Sequence, residues 1–129
     1  MNDRFKFRVW ITYANLYYQI DSFYYDKFKR KYTFHFEDGH TKSISEKDCV
    51  IEQCTGLKDK NGKLIYEGDI IQLTRERRWL PKGSLHIIDW RTFNCCGFCL
   101  GCLGSLTEKC SKECIVIGNI HENHELLKG

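Results

Sequence analysis

Six of the eight cysteines in this 129-residue chain fall within twenty positions: Cys95, Cys96, Cys99, Cys102, Cys110 and Cys114. Chance does not gather thiols this way, so the segment carries either chemistry or a specialised core. Cys96-x2-Cys99, followed after ten residues by Cys110-x3-Cys114, supplies two thiolate pairs on a glycine-containing loop. A tetrahedral Zn²⁺ needs little more, with each sulfur about 2.3 Å from the metal. Cys102 is an alternate ligand, because Cys99-x2-Cys102 repeats the first spacing. Three other states fit the same residues. Reduced thiols could be buried among Phe98, Leu100, Leu103 and Leu106, oxidation could join them as disulfides, and the triplet ending at Cys102 has iron–sulfur spacing but lacks the usual Cys-Pro continuation. Spacing favours zinc, in a closed site that orders the loop and does no Lewis-acid chemistry.

Other reactive types are scattered. His121 and His124 form a His-x2-His pair in a polar tail, and Asp89, Glu67 and Asp69 read as strand-end carboxylates without a partner in sequence. There is neither a nucleophile elbow nor a phosphate-cradling glycine loop, so the chain is expected not to be an enzyme. Two short runs interleave cations with aromatics: Lys29, Arg30 and Lys31 within Asp26 to Tyr32, and Arg75, Arg77, Arg78 and Trp79. That mixture suits phosphate contact and base stacking. It equally suits a solvated strand edge whose long side chains discourage aggregation. The net charge of +3 is too small to name a nucleic-acid partner by itself.

The elements that must position these groups are mostly strands. Phe5, Phe7, Val9 and Ile11 alternate with Lys6, Arg8, Trp10 and Thr12, giving one apolar and one mixed face. The Tyr-rich stretch that follows is expected to pack between this strand and the next hairpin. Tyr32, Phe34 and Phe36 alternate into the turn Glu37-Asp38-Gly39-His40, and Thr41 to Ile44 return antiparallel. Asp48 to Cys54 reads as a further short strand. Asn61-Gly62 favours a tight turn with positive φ, and Gly68-Asp69 reverses the chain again before Ile70 and Ile71. A charged loop from Arg75 to Lys82 separates these from Leu85 to Ile88, and Ile115 to Ile117 form the last strand. No window approaches the ~20 apolar residues of a membrane span, and the start lacks a signal-peptide core, so a cytoplasmic protein with no membrane partner is expected.

The segments FKFRVWI (Phe5 to Ile11), FEDG (Phe36 to Gly39), QCTGLKDKNGKLIYEGDII (Gln53 to Ile71) and VIGNIHENHELL (Val116 to Leu127) together resemble the YopX-like proteins of phages and prophages. The resemblance implies an all-β, two-lobed fold of complex topology, an origin in a phage of a Gram-positive host, and self-association; it supplies no catalytic residues. Within it, residues 1–54 read as an N-terminal β lobe, 55–120 as an SH3-like barrel and 121–129 as a tail. The cysteine-rich segment is where this chain departs from the family. Loops on rigid scaffolds carry binding function, so Phe93, Phe98, Leu100 and Leu103 are candidate partner-binding residues. The expected role is that of an accessory protein in the host cytoplasm that binds a host or phage protein, with inhibition of a host defence as its most specific form. A nucleic-acid-binding module is the alternative.

Overall fold

The computed structural model describes residues 6–76, 80–91, 97–100 and 108–127. The chain divides into two compact units, Met1–Gln53 and Cys54–Gly129. Both are all-β apart from short helical turns.

The first unit is an antiparallel meander. Strands β1 (Phe7–Ile11), β2 (Leu16–Asp26), β3 (Lys31–Phe36) and β4 (Thr41–Ser45) pair in succession. A three-residue 3-10 turn, Glu46–Asp48, then leads into β5 (Cys49–Lys58), which pairs with β1. The strand order is therefore β4-β3-β2-β1-β5. Alternation puts Val9, Ile11, Ile20, Phe34, Phe36, Ile44 and Cys49 in one buried cluster, edged by Phe7, Phe23, Tyr32 and Ile51. Phe7, Val9 and Ile11 thus face the core as the sequence predicts; Phe5 lies outside the described residues.

The opposite face of β1 is not a solvated mixed face. Arg8 and Trp10 are also buried, because each has partners across the sheet. The Arg8 Nε donates to Glu52 Oε1 at 2.8 Å, and the Tyr17 hydroxyl donates to the same oxygen at 2.9 Å. The Arg8 guanidinium lies 4.1 Å from the Tyr17 ring centroid, and Trp10 meets that ring edge-on at 4.9 Å. Pairing both ways is what makes a buried charge tolerable. The Tyr-rich stretch also differs in part from expectation. From Leu16 it forms one long strand, whose Tyr17 packs on Trp10 and whose Tyr18 and Tyr25 rest on Phe36 and Tyr32, yet Tyr13, Tyr18, Tyr24 and Tyr25 stay exposed.

In the second unit, the far half of β5 pairs with β6 (Leu64–Tyr66) across the Asn61-Gly62 turn. Gly62 has φ +84°, whereas Asn61 does not enter the left-handed region. The turn is therefore not the mirror-image type with two positive φ values. It has the three-residue hairpin form, in which a β-turn is followed by one left-handed glycine; Gly62 N donates to Asp59 O, and Asp59 N donates to Lys63 O. Strands β7 (Asp69–Leu73), β8 (Leu85–Arg91), β9 (Gly97–Leu100) and β10 (Cys114–Asn119) form an antiparallel sheet of order β10-β7-β8-β9. Among the described residues no closed barrel is seen in it. Its core gathers Ile65, Ile71, Leu73, Leu80 and Ile88 with two cysteines, Cys110 and Cys114. No helix among the described residues is long and apolar enough to cross a membrane.

Candidate functional site

Cys110 lies on the one-turn helix α1 (Glu108–Ser111), and Cys114 opens β10 opposite Leu73. Both are fully buried. The Cys114 thiol donates to the Ser111 carbonyl at 3.2 Å. Burial pushes it up to about 12, helped by the neighbouring Cys110 and by Asp59. Burial of this kind disfavours the thiolate of a Cys114 that has no cation beside it among the described residues. Cys99 stands on β9, paired with Asp89, at the other edge of the sheet, with β7 and β8 between it and β10. The chain from 97 to 100 is thus a strand, where a glycine-rich loop was expected. Of the four predicted zinc ligands, the fold brings together Cys110 and Cys114 and places Cys99 on a different strand; Cys96 and the alternate Cys102 lie outside the described residues. Phe98 and Leu100 also belong to β9, while Phe93 and Leu103 fall outside the description.

Five polar residues of the signature segments, Thr55, Asp59, Asp69, Asn119 and Asn123, bond within the fold. Thr55 Oγ1 donates to the Ile65 carbonyl and accepts the Leu57 amide. The buried Asp59 carboxylate accepts three amides: Asn61 and Lys63 on Oδ1, both at 2.9 Å, and Val116 on Oδ2, also at 2.9 Å. Asp69 accepts the Tyr66 amide at 2.7 Å. In the tail, the Asn119 side chain accepts the His121 and Glu122 amides and donates to Glu122. Asn123 Oδ1 accepts the Asn119 amide, and Asn123 lies so close over Gly118 that a Cβ there would sit 2.6 Å from it. GNIHEN is therefore a chain reversal built on side-chain caps, in which His121 takes part through its backbone amide.

The exposed chemistry lies elsewhere. Of eight exposed large apolar side chains among the described residues, six fall between Tyr13 and Phe28: Tyr13, Leu16, Tyr18, Tyr24, Tyr25 and Phe28. The first basic run, Lys29, Arg30 and Lys31, occupies the β2–β3 turn and the start of β3. Arg75 makes a loose ion pair with Glu113 at 3.7 Å; Arg77, Arg78 and Trp79 lie outside the described residues. Sequence reasoning missed the Arg8–Glu52–Tyr17 cluster. Its one signal was a glutamate inside the apolar run CVIEQC, which needs a cation if it faces inward.

These features are those of a small β scaffold: capping side chains bonded inward in the second unit, and exposed rings on and beside β2 in the first. Residues 6–128 match the family described as YopX protein, and the chain belongs to that family. It is also similar to a protein of known structure, protein EF1440 from Enterococcus faecalis, at 29% identity with a TM-score of 0.69, covering 95% of this chain and 96% of that one. No curated protein matches it.

Proposed function

We propose that this chain is a phage-type accessory protein that acts by binding another protein. The observation that carries the reading is the number of large apolar side chains left exposed from Tyr13 to Tyr25, with Leu16 and Tyr18 on one face of β2 and Tyr24 on the other. Exposed aromatics held on a rigid sheet mark interaction surfaces, since Tyr contributes large contact area at low entropic cost. The inward bonding of Thr55, Asp59, Asp69, Asn119 and Asn123 supports the same reading, because it assigns the signature residues to the scaffold. Edge strand β9, with Phe98 and Leu100, is the second candidate contact. Self-association through either surface and blockade of a host defence component are the specific forms this binding takes.

An SH3-like arrangement is part of the proposal, and it suits the first unit better than the second. The order β4-β3-β2-β1-β5 with a 3-10 turn before the last strand supports it. The test is affinity capture from host lysate with the wild-type chain and with a Tyr13→Ser, Leu16→Ser, Tyr24→Ser variant. A partner recovered only by the wild type, and reconstituted from purified components, is the expected result. Equal capture by both proteins would refute the assignment of this surface.

A further inference from the structure

The β2–β3 turn combines a fixed backbone with an unusually exposed ring. Phe28 is 89% exposed, yet its position is held. Asp26 Oδ1 accepts the Phe28 amide at 3.0 Å and the Lys29 amide at 3.1 Å. Arg30 takes φ +54°, its carbonyl accepts the Glu46 amide at 3.0 Å, and its guanidinium pairs with Glu46 at 2.8 Å. Those contacts engage the carboxylates of Asp26 and Glu46. The cations left facing solvent at the tip are Lys27, Lys29 and Lys31, and the Lys27 ammonium lies 5.5 Å from the Phe28 centroid.

We infer that this hairpin tip binds single-stranded nucleic acid, with Phe28 stacking on one base and Lys27, Lys29 and Lys31 meeting the flanking phosphates. Base stacking on an aromatic ring beside cations is the general physics of sequence-tolerant single-strand binding. A lone ring at a narrow turn reaches only an unpaired base, because duplex bases are already covered by their neighbours. An anionic membrane would accept the same lysines, but one ring is too little apolar area for an anchor, whereas it suffices for one base. This contact lies beyond the protein-binding role and uses different side chains from Tyr13, Leu16 and Tyr24.

The test is fluorescence anisotropy of a labelled oligothymidylate strand against the full chain, with the matching duplex and phosphatidylserine vesicles as separate arms. Binding to the single strand at low salt is expected, with a log–log salt slope of about −2 for three lysine contacts at ~0.7 per phosphate. Phe28→Ala should weaken it roughly 5- to 100-fold, Phe28→Trp should restore it, and Lys27→Gln, Lys29→Gln, Lys31→Gln together should flatten the slope. Melting curves should match the wild type, since every altered side chain is exposed. No binding at low salt, equal affinity for the duplex, binding to vesicles alone, or an unchanged affinity in Phe28→Ala would each overturn the inference.

Discussion

Asp59 and Val116 stand 57 positions apart in sequence, and the carboxylate of the first accepts the amide of the second at 2.9 Å. One side chain thereby shapes the β5–β6 hairpin loop and fastens that loop to the last strand. Asp59→Ala leaves three amides without their acceptor; water can reach those of the exposed Asn61 and Lys63, so the penalty falls mainly on the half-buried Val116 amide, about 1–3 kcal/mol for an unsatisfied buried donor. The expected loss is about 1–3 kcal/mol in urea unfolding. Asp59→Asn keeps acceptor capacity on one oxygen only and should fall between. A loss below about 1 kcal/mol for Asp59→Ala would show that water replaces the carboxylate.

Gly62 needs its missing Cβ for conformation and not for space. Nothing lies within 4 Å of where a Cβ would sit, but φ is +84°. Gly62→Ala should therefore cost about 1–2 kcal/mol from backbone strain alone, and Gly62→Asn distinctly less, since asparagine tolerates the left-handed region. Equal melting temperatures for the two variants would contradict this.

Cys49 and Cys114 should be chemically quiet. Burial, with Asp48 and Glu46 nearby, pushes Cys49 up to about 11, and Cys114 stands near 12. The thiolate is the nucleophile, so at pH 8 both should resist iodoacetamide in the native protein and react once it is unfolded. Peptide mapping by mass spectrometry reads this site by site. Native labelling of Cys114 at the unfolded rate would contradict its place in the core, and elemental analysis alongside separates protection by burial from protection by zinc.

His86 gives a pH signature. It is buried on β8 with Ser84 Oγ 2.8 Å from its Nε2, and burial lowers its pKa. In the unfolded chain it protonates near its ordinary value of about 6.5, while the folded state resists the proton. Below that pH the unfolded state binds more protons, so this contribution to stability is intact above about 6.5 and is lost as the pH falls towards the depressed folded value. Urea titrations at pH 7.5 and 5.5 should show a smaller drop for His86→Gln than for the wild type; an equal drop would assign the loss to other groups.

How much of this was legible beforehand depended on whether a residue's partners were local. Tyr32, Phe34 and Phe36 alternate beside a turn signal, and β3 and β4 follow directly. Gly62 was legible because the left-handed region excludes most other residues. Arg8 was not: its burial depends on Glu52, 44 positions away, and alternation alone marks a charged residue as outward. The tyrosines were legible in part: Tyr17 packs on Trp10 of β1, and Tyr18 and Tyr25 on Phe36 and Tyr32 of β3, but Tyr18, Tyr24 and Tyr25 keep one side in solvent, which aromatic content alone does not foretell. The cysteine spacing gave no sign that Cys99 stands on β9 and Cys114 on β10, at opposite edges of one sheet, because spacing along the chain carries no strand order.

The central claim is that the signature residues build the scaffold while exposed side chains from Tyr13 to Tyr24 do the binding. The most direct measurement is isothermal titration of the purified partner against three folded proteins: the wild type, Tyr13→Ser/Leu16→Ser/Tyr24→Ser, and Gly62→Asn. The account predicts that the surface variant loses binding at least roughly tenfold, about 1.4 kcal/mol or more, while melting like the wild type, and that Gly62→Asn melts lower but binds with unchanged affinity. Unchanged affinity in the surface variant, together with weakened binding in Gly62→Asn, would contradict it.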